Sequence, residues 1–133
     1  MDLKKTKNSS PRVKVIQKLY NSLMNPDSLI EYPKSQYKKF IKDVVTGTLE
    51  RSNLIEEKID QLLTNDIDLK KTDKLLKIIL FAAIFELMFK HGTPKKVIIN
   101  EYLLASEHFL EKIQTGYLNA ILDKIAKELR KDE

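Results

Sequence analysis

The sequence contains no cysteine and few turn-forming residues, with only 3 glycines and 4 prolines among its 133 residues. Without cysteine there is neither a disulfide framework nor a thiolate, which favours a reducing compartment. So few glycines and prolines argue against a many-turned β fold. The basic start of the chain is not followed by an apolar run, so it does not look like a secretion signal. We therefore expect a cytoplasmic protein with one helical domain.

Groups suited to catalysis or metal binding are also scarce. The two histidines, His91 and His108, each lack a second histidine or cysteine at ligand spacing. There is no glycine-rich phosphate loop, and Asp66 and Asp68 lack the glycine and distal glutamate of a calcium loop. We therefore expect no enzyme, no cofactor and no metal site. His91 is interpreted as a residue favoured by the dipole at a helix C-terminus.

The longest apolar run covers residues 75–89, where only Lys77 and Glu86 are not apolar. A helix that is apolar on all sides must be buried by other elements or by a partner. The run is too short to span a membrane, which takes about 20 apolar residues. It therefore predicts the central helix of a small helical domain.

Helical spacing of apolar residues predicts further helices around this one. Caps are predicted at Ser10, at Asn53 with Glu56, and at Asp73. The same spacing predicts that Leu23, Met24, Tyr37 and Ile113 point inward. The helices are expected at about residues 11–24, 35–51, 53–63, 74–91, 94–105 and 113–130, with one more turn of helix near 107–112.

No segment alternates like a strand, so the predicted fold class is all-α with six to seven helices. Residues 1–9 are polar and basic and are expected to form a flexible arm. Residues 10–133 form the predicted helical domain. The polar stretch 65–72 divides it into halves, at about 10–65 and 72–130.

The charge is uneven along the chain, although the net value is only +5. Residues 1–20 and 34–42 are basic, whereas residues 50–68 are mostly acidic. A positive N-terminal end favours a polyanion as partner. The alternative is that these lysines form a solvated face, as in many lysine-rich proteins.

Three blocks in the second half resemble stretches typical of the NusB family of transcription antitermination factors. They are Ile84-Phe85-Glu86-Leu87, residues 93–101 (TPKKVIINE) and residues 117–124 (YLNAILDK), at the spacing found in that family. Residues 12–20 and 40–47 agree more weakly. The resemblance covers about residues 10–130 and implies the NusB-like fold, two small helical bundles packed together.

The resemblance also implies a function. NusB proteins bind the boxA element of ribosomal RNA leader transcripts with the small ribosomal-subunit protein NusE, and the complex acts on RNA polymerase. In this family the RNA binds to the basic N-terminal arm, the first helix and the last helix. Aromatic rings there stack on unpaired bases. By position, the RNA-binding candidates here are Lys5, Lys7, Arg12, Gln17, Tyr20 and Tyr117. Tyr20 and Tyr117 fit equally well as core residues, and Gln17 fits a role in local packing.

The partner surface departs from the family pattern. Leu76 stands where the family usually has an acid facing NusE, Phe81 where it usually has arginine, and Ile113 where some members have a contacting acid. Gly116 replaces a lysine before the last helix's aromatic residue. The protein-partner candidates are Leu76, Lys77 and Phe81, and an apolar patch at Leu76 and Phe81 would suit a homodimer. The alternative function is therefore an interaction module, dimeric or associated with rRNA-processing or modification machinery, with weak or no boxA binding.

Overall fold

The structure, a computed structural model, describes residues 10–133, and every regular element in that part of the chain is helical. This confirms the predicted all-α class, and residues 10–133 contain six α-helices. The predicted arm 1–9, with Lys5 and Lys7, lies outside the described residues. The helices are α1 Pro11–Met24, α2 Lys38–Glu50, α3 Ser52–Leu62, α4 Lys74–Phe89, α5 Lys95–Ser106 and α6 Lys112–Leu129, and a single 3-10 turn spans Leu69–Lys71.

Helix α4 is the centre of the fold, as the apolar run predicts. It contacts each of the other five helices. Ile79, Leu80, Ile84 and Leu87 have no exposed surface, and the buried apolar residues of all six helices form one continuous core. Across residues 10–133, none of the helices has the length and apolar character needed to cross a membrane. Both predicted halves contribute residues to the core around α4, so the division at residues 65–72 stays a prediction.

Helices α2 and α4 approach each other closely at Gly47. A methyl group built at this glycine would overlap with the ring of Phe85. Gly47 is buried within α2, and the Phe85 ring is only 5% exposed. The missing side chain therefore lets an aromatic ring of α4 lie directly on the backbone of α2.

The helix ends agree only in part with the predicted caps. The Asp73 carboxylate accepts the Leu75 and Leu76 amides at 3.0 and 3.1 Å, as predicted. His91 lies just beyond α4 with its Nε2 2.7 Å from the Met88 carbonyl oxygen. Ser10 precedes α1 but makes no side-chain cap. The cap at Asn53 is wrong, because α3 already begins at Ser52.

The inward positions predicted at four helix margins are wrong. Leu23, Met24 and Tyr37 are between 41% and 49% exposed, and Ile113 is 85% exposed. Each lies in the first or last turn of a helix or just before it, where the neighbouring helices no longer cover the apolar stripe. The periodicity therefore predicts correctly which face of each helix is buried, but it overestimates how far toward the helix ends the burial extends.

Candidate nucleic-acid interface

Arg12 is buried, although we predicted it as a phosphate contact. Its Nε donates to Glu86 Oε2 at 3.0 Å and its Nη2 donates to Glu86 Oε1 at 2.7 Å. The guanidinium also lies 4.8 Å from the centre of the Phe40 ring. Burial alone would lower the pKa of Arg12, but the hydrogen bonds and charge of Glu86 raise it above its ordinary value. Only 7% of the residue is exposed, and its charge joins α1 to α4; its contact with phosphate stays a prediction.

Glu86 is the anchor of a three-residue polar cluster inside the core. It is fully buried, and the Tyr102 hydroxyl donates a hydrogen bond to its Oε2. Burial, together with the nearby Glu86 charge, raises the pKa of Tyr102 well above 10. Sequence reasoning missed this cluster, although a lone carboxylate in an apolar helix is itself a signal, because a buried charge needs a partner.

Tyr117 is fixed to the connector between α3 and α4, which we define as residues 63–73. Its hydroxyl donates to the Asp66 carbonyl oxygen. About two turns further along α6, Lys124 Nζ lies 2.6 Å from the Asp66 carboxylate. Partial burial and the Asp66 charge raise the pKa of Tyr117 above its ordinary value. The residue is 41% exposed, so the ring is held in place and open to solvent.

Tyr20 lies at the other end of the same connector. It is half-buried and lines a shallow groove with residues 70–75, which we call the connector groove. Lys70, Lys71 and Lys74 contribute three cations there. Asp73 is the single acid in that lining, and its carboxylate is occupied as the cap of α4. The structure thus brings an aromatic ring and a cationic segment together.

Gln17 lies one helical turn before Tyr20 on α1, on the side of the helix that is not fully buried. It lines a different groove, formed by α1 and the segment that leads into α2. We call this the lysine groove, because Lys14, Lys18, Lys34 and Lys38 surround it. Gln17 therefore lies between two cationic surfaces.

The predicted partner residues are less exposed than we expected. Leu76 is 4% exposed and Phe81 is 9% exposed, because α4 is covered by its neighbours. The predicted apolar patch formed by these two side chains is therefore corrected. Phe81 and Lys77 instead line an apolar groove with the half-exposed Leu23 and Leu49, which we call the leucine groove. Lys77 Nζ lies 5.8 Å from the centre of the Phe81 ring.

The described part of the chain holds no group of three or more histidine, aspartate or glutamate side chains placed to bind a metal ion. Arg130, another residue that sequence reasoning missed, is also structural. It is 4% exposed and donates to the carbonyl oxygens of Leu87 and Lys90 at 2.6 and 3.1 Å. It thereby satisfies the C-terminal carbonyl groups of α4.

Comparison with known proteins gives consistent matches. A family model described as the NusB family matches residues 3–127. The transcription antitermination protein NusB of Rickettsia massiliae is 35% identical over 122 residues, covering 86% of this chain and 76% of that protein. The protein of the same name from Rhodopseudomonas palustris is 35% identical over 94 residues, covering 71% of this chain. That match spans about half of the Rhodopseudomonas protein, 54% of its length.

One solved structure carries the same fold. A NusB from T. maritima superposes with a TM-score of 0.76 at 24% sequence identity, and the match covers 89% of each chain. The likeness extends over nearly the whole helical domain. At this identity it supports the arrangement of the helices, and it carries no information on the ligands of this chain.

Proposed function

The chain belongs to the NusB family, and from this premise we propose that it is a transcription antitermination protein that binds boxA-like single-stranded RNA. It acts in the cytoplasm by binding and not by catalysis. NusE is its protein partner, and the complex joins RNA polymerase with other Nus factors on ribosomal RNA operons.

The placement of Tyr20 and Tyr117 on one connector is the observation that carries the proposal. Tyr117 binds the connector at Asp66, and Tyr20 lines the groove that begins at Lys70. Asp66 and Lys70 are four positions apart, so their backbones are at most about 14 Å from each other. Two aromatic rings placed at points this close on one connector suit bases of a single unpaired strand.

The charges around these rings fit a nucleic-acid strand. Lys70, Lys71 and Lys74 stand beside Tyr20, where they would neutralise phosphates and release counterions. The amide of Gln17, one turn from Tyr20, is suited to hydrogen-bond a base edge. Lys5 and Lys7 precede α1 in the sequence and are proposed to add phosphate contacts from the arm.

Arg12 takes a different role from the one its position in the family resemblance implies. Its guanidinium makes two hydrogen bonds to Glu86, its Nη1 lies 3.7 Å from the Glu101 carboxylate, and its side chain is only 9% exposed, so little of its charge is accessible to a phosphate. We therefore assign Arg12 to positioning α1, and hence Gln17 and Tyr20, relative to α4.

The leucine groove is the proposed site for NusE. It offers apolar surface at Leu23 and Leu49, which are 49% and 43% exposed, and the Lys77 cation at its edge. Apolar centres with charged rims are typical of protein interfaces. The same groove supports the second candidate function, an interaction module in which a second copy of this chain or an rRNA-processing protein occupies the site.

Variants of the two tyrosines test RNA binding. We expect Tyr20→Leu and Tyr117→Leu each to weaken binding to a boxA-like RNA by about 1–3 kcal/mol, the usual contribution of one stacked base. Tyr117→Phe keeps the ring and should retain most of the affinity. Tyr37→Leu is the matched control, since Tyr37 is 42% exposed but lines neither the connector groove nor the lysine groove. Equal effects at Tyr37 and Tyr117 would argue against stacking on these rings.

A further inference from the structure

The lysine groove contains four lysines that have no role in the proposed recognition of bases; of its lining, only Gln17 takes part in that recognition. Its two sides come from α1, with Lys14 and Lys18, and from the segment before and at the start of α2, with Lys34 and Lys38. Among the residues that the structure describes, neither aspartate nor glutamate lines it. Within residues 10–133, none of these four lysines forms an ion pair, whereas the adjacent Lys39 pairs with Asp43 at 3.5 Å.

This arrangement has an energetic cost in the absence of a ligand. Lys14 and Lys18 are four residues apart on α1, so their like charges face each other and destabilise the helix by a few tenths of a kcal/mol. Lys34 and Lys38 add two more positive charges across the groove. A bound polyanion would remove this repulsion.

The lining of the groove favours a phosphate backbone over a base. Besides the lysines it includes Tyr32 and Ile41; Ile41 is 4% exposed, Tyr32 is partly buried, and both side chains pack against the hydrophobic core. Four cations therefore surround little free apolar surface. Lysine ammonium groups attract phosphates as point charges, without the fixed two-point geometry of arginine.

The groove is also continuous with the proposed RNA surface. Gln17 lines it and is one helical turn from Tyr20, which lines the connector groove. Along α1 the two lysines are separated by about 6 Å, so they can follow successive phosphates of an extended strand.

We propose that the lysine groove holds the phosphate backbone of RNA that flanks the recognised motif, without reading its sequence. The inference rests on the proposed function, because it extends the RNA that Tyr20 and Tyr117 contact. An acidic protein is a poorer fit, because the apolar side chains in the lining, Tyr32 and Ile41, are partly or almost fully buried, whereas a protein hot spot needs an accessible anchor.

Titrations of the full chain with four labelled RNAs test this inference. The RNAs carry the boxA-like motif alone, the motif with a flank, the motif with a flank of uncharged methylphosphonate linkages, and a scrambled sequence of the flanked length. We expect the charged flank to increase affinity and the uncharged flank to have no effect. An equal gain from both flanks would overturn the proposal, since phosphate charge would then not be what the groove binds.

Two double variants test whether the gain in affinity from the charged flank arises in the lysine groove. Lys34→Ala with Lys38→Ala should reduce the gain from the flank and lower the salt slope on flanked RNA by about 1.4, at about 0.7 per phosphate contact. It should leave binding of the motif alone unchanged. The control is Lys39→Ala with Lys131→Ala, which removes the same charge from exposed lysines paired with Asp43 and Glu128. Equal effects of the two double variants would overturn the proposal.

The scrambled RNA separates this inference from the proposed function. If motif and scrambled RNA bind equally, the proposed boxA recognition fails, and the Lys34–Lys38 effect on the scrambled strand still decides the groove. If the motif is preferred but the Lys34–Lys38 variant binds flanked RNA like the unaltered protein, the groove inference fails alone. The same result would be expected if the lysine groove bound an acidic protein instead of RNA.

Discussion

Arg12 and Glu86, 74 positions apart in the sequence, form a buried two-point ion pair that joins α1 to α4. The Glu86 side chain is completely buried and that of Arg12 is 9% exposed. The Tyr102 hydroxyl is the third partner. The pair lies at the start of the helix that presents Gln17 and Tyr20, so the placement of both proposed RNA contacts depends on it.

Removing Arg12 is predicted to destabilise the fold and not simply to weaken phosphate binding. Arg12→Ala leaves the Glu86 carboxylate buried without its cation, which costs about 3–5 kcal/mol. Chemical denaturation measures this loss. Arg12→Met with Glu86→Leu removes both charges and should be less destabilised than Arg12→Ala alone. If the Arg12→Ala protein is stable and its RNA binding has a smaller salt slope, Arg12 contacts a phosphate and this prediction is wrong.

Tyr102 is predicted to make stability fall at alkaline pH. Its pKa is raised in the folded protein, so its contribution is complete below the ordinary tyrosine pKa of about 10 and is lost as the pH rises above that value. One such group changes the free energy of unfolding by up to about 1.4 kcal/mol per pH unit. Tyr102→Phe should be less stable at neutral pH by about 1.5–3 kcal/mol, the usual contribution of a hydrogen bond to a charged group, but should lose stability less steeply above pH 10. Identical alkaline slopes would contradict this prediction.

The two glycines Gly47 and Gly116 are predicted to respond oppositely to alanine. Both lie within helices, where alanine is favoured by about 1 kcal/mol. At Gly116 a methyl group meets nothing within 4 Å, so Gly116→Ala should stabilise the protein by about 0.5–1 kcal/mol. At Gly47 the methyl overlaps with Phe85, and overpacking of about 1–3 kcal/mol exceeds the helix gain. Thermal melts measure both, and stabilisation by Gly47→Ala would show that α2 and α4 are not in this contact.

The leucine groove is predicted to bind protein independently of RNA. Leu49→Asp should weaken NusE binding at least tenfold, because it places a charge in the apolar centre of the groove, and should leave binding to RNA alone unchanged. Leu29→Asp is the control, since Leu29 is 93% exposed and lies outside this groove. Sedimentation at micromolar concentration distinguishes the alternative: a dimer that Leu49→Asp dissociates would assign the groove to a second copy.

The sequence predicts the buried helix and the order of the elements well, for a physical reason. The run at 75–89 has only two polar residues, so almost any packing must bury it. Local signals are equally clear at Asp73, where the cap depends on residues two and three positions away.

Contacts between distant residues are what the sequence alone does not predict. Arginine is usually exposed, so nothing local indicates that Arg12 is buried by a glutamate on another helix. The amide of Lys95 at the start of α5 likewise donates to the Glu133 carboxylate at 2.9 Å, 38 residues away, and not to a side chain nearby in the sequence. The connector and lysine grooves depend on such long-range packing, and this is why Lys70, Lys34 and Lys38 were not among the predicted site residues.

Sequence-selective RNA binding that NusE strengthens tests the central claim most directly. Labelled boxA-like RNA and a scrambled RNA of equal length are titrated with this protein, with and without NusE, at two salt concentrations. We expect boxA-like RNA to bind more tightly than the scrambled RNA, the difference to grow with NusE, and both affinities to fall with salt. Equal affinity for the two RNAs in the presence of NusE would contradict the account.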